Sequence, residues 1–98
     1  MTDRRLRLAS LARQHLRDIE RASIRKWGID QTADYLADIN ETMKRLCRAP
    51  EQGRRREDIG PGYRSRLCGR HLIYYRFDDT RLYVTAVLHE RMDIKLHF

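Results

Sequence analysis

Apolar positions change their spacing several times along the chain, and each change marks an element. Leu6 and Leu8 alternate with Arg5 and Arg7, the period of a short strand with one buried face. Beyond Ser10, a residue able to cap a helix, Ala12, Leu16, Ile19, Ser23 and Trp27 recur at steps of four, three, four and four. That spacing draws one stripe along a helix of about four turns. Gly28 is the natural residue to end it, because glycine alone enters the left-handed region there cheaply. Asp30 can cap a second helix, in which Ala33, Leu36, Ile39, Met43 and Leu46 recur at steps of three, three, four and three. The two helices predict an antiparallel hairpin with Trp27 near its bend.

Pro50 ends the second helix. Residues 49–62 hold both prolines, three of the five glycines and the run Arg54, Arg55, Arg56, a composition that predicts an exposed loop. Three strand-like runs follow, at 63–68, 70–77 and 82–89, separated by Gly69 and by Asp78, Asp79 and Thr80. Both separations suit hairpins. The last run, Leu82 to Leu88, is apolar on both faces and is the candidate central strand. The tail, 90–98, is short enough for a last helical turn or an extended arm. The order β-α-α-β-β-β predicts an α+β fold, a single domain over 1–98, with an antiparallel helical hairpin packed on one face of a small, mainly antiparallel sheet.

Composition narrows the class. Ninety-eight residues, 41% hydrophobic and 36% charged, make one modest core under a charged surface and exclude a two-domain enzyme. No apolar run approaches the ~18 residues of a membrane span, and the arginine-bearing start lacks a signal peptide's apolar stretch, so a cytoplasmic protein is expected. Cys47 and Cys68 are too few for a disulfide scaffold and lack metal-binding spacing; both are expected reduced. Walker, GxGxxG, GxSxG and HExxH motifs are absent, and no cofactor is implied. His15, His71, His89 and His97 are dispersed in sequence, and His89 with His97 is too little for a metal site. Cys68 and His71 could approach across a turn, although a cysteine at a strand end needs no chemical role. Arg64, Arg66, Arg91, His89 and His97 are the groups available to a metal-free ribonuclease, which needs proton carriers and cations around phosphorus.

The net charge of +7 is unevenly placed. Residues 1–28 carry eight basic and three acidic side chains, and residues 53–76 seven and two, so each stretch contributes +5 and the remainder −3. Arg13, Arg17, Arg21 and Arg25 fall four apart and stay on one side of the first helix, either as a ridge for an acidic partner or as a solvated face. Alternation puts Arg64 and Arg66 on one face of their strand, and Arg70 and Arg76 share a parity in the next. With Tyr63, Tyr74 and Tyr75 nearby, that face suits nucleic acid; tyrosines at strand positions equally serve ordinary cross-strand packing.

Trp27-Gly28 followed by Gln31, Ala33 and Tyr35, then Pro50 and Gly53, GYRS from Gly62, GRHLIYYRF from Gly69 and VLHERMD from Val87 together resemble the ParE-type toxins of the ParE/RelE superfamily. The resemblance spans nearly the whole chain in order. It implies a helical hairpin on a small antiparallel sheet, and the toxin of a type II toxin–antitoxin pair that inhibits DNA gyrase and is silenced by a ParD-like antitoxin in a hetero-oligomer. It further implies Arg13, Arg17, Arg21 and Arg25 as antitoxin contacts, and Arg64, Arg76, Arg91, Met92 and Asp93 as the target-facing set. Direct nucleic-acid binding is not expected on its own. The sister RelE-type, ribosome-dependent mRNA endonucleases are the alternative, for which Arg64, Arg66, Arg91 and His97 are the matching positions. Leu72 departs from that pattern where the endonucleases place an arginine, and His97 where they place a tyrosine.

Overall fold

The computed structural model describes residues 3–96. Strand β1 (Arg5–Leu8) leads into helices α1 (Ser10–Trp27) and α2 (Ile29–Arg48), and strands β2 (Arg54–Arg55), β3 (Arg64–Cys68), β4 (His71–Phe77) and β5 (Arg81–His89) complete a five-stranded sheet. The spatial order is β1-β5-β4-β3-β2. All pairings are antiparallel except β1 with β5, which runs parallel. The α+β architecture expected from the spacing is therefore present, with one added strand.

The bend between the helices is a single residue. Gly28 has φ of +87°, donates its N–H to the Ile24 carbonyl at 2.9 Å and accepts from the Thr32 N–H at 3.2 Å. It closes α1 and opens α2 at once, so Asp30 is not the cap but lies inside the first turn of α2. Ala9, not Ser10, takes the N-cap position ahead of α1, and its carbonyl receives the Arg13 N–H. The apolar stripe of α1 holds at Ala12 and Ile19, both buried. In α2, Ala33 is exposed and Thr32 is buried in its place, because Thr32, four residues before Leu36 and seven before Ile39, continues the four-three stripe that Ile39, Met43 and Leu46 follow.

Two cores form, one on each side of the sheet. Ile73, Tyr75, Leu82, Val84 and Val87 meet Ile39, Met43 and Leu46 beneath the helices. Tyr74, Ala86 and Leu88 meet Ile94, Ile59 and Leu72 on the back face. A bulge makes this division possible. Tyr74 pairs with Ala86 and Tyr75 with Val84, leaving Thr85 as the extra residue, so the alternation in β5 reverses partway along. This accounts for a strand apolar on both faces. β5 is interior, between β1 and β4, while β4 occupies the middle position.

The predicted loop at 49–62 has more structure than its composition suggests. Pro50–Gln52 forms a 3-10 turn and Arg54–Arg55 pairs with β3. The Tyr75 hydroxyl, fully buried, donates to the Pro50 carbonyl at 2.5 Å and accepts from the Gly53 N–H at 3.0 Å. Burial pushes this phenol's pKa upward, which keeps it a donor. The turn after β3 is Gly69-Arg70, so Arg70 is not a strand residue. Gly69 has φ of +59°, and a Cβ there would lie 2.5 Å from a Tyr35 ring carbon; conformation and space both demand glycine. In the tail, a short 3-10 turn forms at Ile94–Leu96.

Replacing Tyr75 with Phe removes both hydrogen bonds while keeping the ring, and leaves the Pro50 carbonyl and Gly53 N–H without their partner. The expected loss is about 1–3 kcal/mol, measured by urea unfolding. A variant as stable as the parent would show that this clasp does not hold the segment to the sheet.

Candidate functional site

Arg13, Arg17, Arg21 and Arg25 are all exposed along α1. Arg13 donates from Nε to the Leu8 carbonyl at 3.4 Å, and Arg17 donates to the Gln14 side-chain oxygen at 2.9 Å. Beside this ridge runs a groove of about 290 Å³ between the helices, lined by Leu8, Leu16, Leu36, Ile39 and Met43 with Arg17, Glu20 and Asn40 at its margins. An apolar floor beside a cationic row is the surface that an amphipathic, acidic segment would cover.

The arginines predicted on the sheet do not share one face. Arg64 and Arg66 pair with Tyr75 and Ile73 and so stand on the helix side, whereas Arg76 pairs with Tyr83 on the back face. Arg64 donates to the Gly53 carbonyl at 2.9 Å and lies 5.9 Å from the Phe77 ring centroid. Tyr74 and Tyr75 are core residues, 2% and 0% exposed, so neither is a stacking platform. Arg91, Met92 and Asp93 follow β5 at the end of the sheet where His89 pairs with His71, the opposite end from Arg64 and Arg76. The five target-facing candidates are thus split between two ends. Asp93 accepts the Lys95 N–H at 3.0 Å and starts the final 3-10 turn. Met92 is exposed. Leu72 packs in the back-face core; His97 lies outside the described residues.

The histidines, scattered in sequence, are gathered by the fold. His71 and His89 face each other across the β4–β5 pairing, ring centroids 5.5 Å apart and nearly perpendicular. The Tyr35 hydroxyl lies 2.6 Å from His71 Nδ1, 3.1 Å from the Cys68 carbonyl and 3.1 Å from the Arg70 N–H. Accepting from Arg70 and donating to Cys68 leaves one lone pair for an Nδ1–H of His71. Trp27 meets the far side of the Tyr35 ring edge-on, centroids 6.0 Å apart. The hairpin bend is thereby joined to the sheet end through a row of rings. His15, His71, His89 and Met92 line a cleft of about 300 Å³ with Asp18 at its edge. His15 Nδ1 accepts the Val87 N–H, and His89 Nδ1 the Arg91 N–H, each at 3.2 Å. Cys68 Sγ accepts the Thr42 hydroxyl at 3.4 Å. No group of three His, Cys, Asp or Glu side chains among the described residues could hold a metal ion, and no helix of the structure is long and apolar enough to cross a membrane. The sequence signal for the His pair was the hairpin itself: register places the first residue of β4 opposite the last of β5.

Residues 6–94 match the family model described as "ParE toxin of type II toxin-antitoxin system, parDE", and the chain belongs to the ParE toxin family. Toxin ParE1 of Mycobacterium tuberculosis (strain H37Rv) is 35% identical over 88 residues, covering 89% of this chain and 90% of the relative. Toxin ParE1 of Caulobacter vibrioides is 33% identical over 91 residues, covering 93% and 94%. Among solved structures, the chromosomal ParDE system from P. aeruginosa superposes with a TM-score of 0.75 over 88% of this chain and 95% of that one, at 19% identity. That likeness is one of fold.

Burial and the neighbouring His89 both lower the pKa of His71. Below about pH 6.5 the unfolded chain therefore binds a proton at this position more readily than the folded one, and stability falls as pH drops. Urea midpoints should decline from about pH 7.5 to about pH 5, and less steeply in His71→Gln. Identical slopes in both proteins would remove His71 as the cause.

Proposed function

We propose that this toxin acts by binding DNA gyrase without catalysing a reaction of its own, and that a ParD-like antitoxin silences it in a cytoplasmic hetero-oligomer. The match to the ParE toxin family over residues 6–94 carries this reading. A second observation favours it over ribosome-dependent mRNA cleavage. Leu72, at the position where the endonuclease pattern calls for an arginine, is committed to the back-face core with Tyr74, Leu88 and Ile94. An apolar side chain there can neither pair with a phosphate nor offset charge building on it.

The antitoxin's place in this reading is the α1 ridge with the adjoining interhelical groove. Arg13, Arg17, Arg21 and Arg25 attract acidic side chains, and the floor of Leu16, Leu36 and Met43 takes the apolar stripe of an incoming segment. Target engagement falls to the sheet ends: Arg91, Met92 and Asp93 at one, Arg64 and Arg76 at the other. A target touching both ends would have to span the back face or sheet edge between them.

Two assays on one purified sample test the target. Supercoiling by gyrase should be inhibited while ribosome-bound mRNA stays intact; cleaved mRNA with unaffected gyrase would overturn the proposal in favour of Arg64, Arg66, Arg91 and His97 as a nuclease site. For the ridge, changing Arg13, Arg17, Arg21 and Arg25 together to Gln should slow antitoxin association at low salt about tenfold or more, with the difference shrinking as salt rises. Equal rates would return the ridge to a solvated helix face.

A further inference from the structure

The second core covers only half of the back face. At the other end of the sheet, Arg5 and Arg7 on β1, Arg81 and Tyr83 on β5, and Arg76 on β4 stand on that face by register and are exposed. Arg5 lies directly opposite Arg81, and Tyr83 lies between Arg7 on one side and Arg76 on the other. The Arg76 guanidinium sits 4.9 Å from the centre of the Tyr63 ring, and a hollow of about 380 Å³ opens among Arg7, Tyr63, Arg76, Tyr83 and Thr85. Ion pairs among the described residues join Arg48 to Asp3, Arg56 to Asp58 and Arg70 to Glu90, and none involves these four arginines. Asp3 and Asp79 border Arg5 and Arg81, so positive charge is least compensated around Tyr83.

Like charges directly opposed on neighbouring strands destabilise a sheet. Asp3 and Asp79 offset that cost at the Arg5–Arg81 pairing, whereas no acidic side chain among the described residues lines the hollow between Arg7 and Arg76, where an anionic ligand would supply the missing charge. The aromatic members narrow the ligand further. An acidic peptide would satisfy the guanidiniums alone, whereas Tyr83, 38% exposed and flanked by two arginines, offers a ring where a base can stack while its phosphates meet the planar forks beside it. We infer that this half of the back face binds single-stranded nucleic acid, with Arg7 and Arg76 pairing phosphates and Tyr83 stacking a base. The site differs from the nucleic-acid face suggested by sequence, since Arg64 and Arg66 are across the sheet and Tyr74 and Tyr75 are buried. Arg76 also belongs to the target-facing set proposed above, but binding here requires neither gyrase nor antitoxin and is measured without them.

The test is fluorescence anisotropy of a labelled oligothymidylate with the purified toxin over a salt series. Arg7→Gln with Arg76→Gln should weaken binding about tenfold or more at low salt and reduce the slope of log affinity against log salt by about 1.4, near 0.7 for each phosphate that is no longer neutralised. Arg13→Gln with Arg17→Gln removes the same charge from α1 and should change binding little. Tyr83→Ala should weaken the oligothymidylate about fivefold or more and leave an abasic oligonucleotide of equal length unaffected. All three variants alter exposed side chains, and thermal melts confirm their folding. Equal losses from the α1 and back-face pairs would overturn the site as mere net charge. Equal affinity for the abasic strand, or displacement by polyglutamate with no effect of Tyr83→Ala, would overturn it in favour of an acidic protein partner.

Discussion

Burial of β4 and β5 from both sides constrains every other part of this molecule. With apolar side chains above and below over most of their length, these strands have little room for an unpaired charge, so of the 21 lysines and arginines only Arg76 and Arg81 lie on them, at the end the second core leaves open. The others occupy the exposed sides of α1 and α2, the outer strands, the turns and the tail. The distribution of charge is thus a by-product of a small chain building two cores around one sheet. Any macromolecule that recognises the protein through charge meets it at these margins.

The same constraint explains what was legible in the sequence. Helix spacing located α1, α2 and their bend because Ala12, Ile19, Ile39, Met43 and Leu46 each have one partner surface and keep one period. The alternation of β1 was legible for the same reason. The start of α2 was not, because an Asp that could cap and a glycine that could end a helix stand two residues apart, and Gly28 performs both tasks. β2 was hidden in a proline- and glycine-rich stretch, its position set by a distant tyrosine hydroxyl and not by its own propensity. Alternation placed Arg64 and Arg66 on one face, as found, but could not relate one strand to the next: Arg64 and Arg76 fall on opposite faces, and adjacent Tyr74 and Tyr75 are both buried, each in a different core. Cross-strand register decides such matters, and no local pattern encodes it.

The family resemblance and the fold agree in outline, and this chain's own residues add particulars. Three histidines that looked unrelated line one cleft, two of them in edge-to-face contact. Tyr35 ties that cluster to the β3–β4 turn and, through Trp27, to the hairpin bend. The helices and the sheet end are consequently linked by polar and ring contacts as well as by the apolar layer, at the point from which Arg91, Met92 and Asp93 emerge. A change at the hairpin bend therefore has a physical route to the tail.

The parallel pairing of β1 with β5 bears on how the protein comes into being in a cell. Arg5 finds its neighbour at Arg81, so almost the entire chain must leave the ribosome before the sheet can be completed. Contacts this remote in sequence form late, because the intervening chain must lose its freedom first. Until then β1 has no strand to join, the helical hairpin has no finished floor beneath it, and the arginines flanking Tyr83 are not yet neighbours. The completed sheet, and with it the back-face patch around Tyr83, is accordingly assembled in one late step of synthesis.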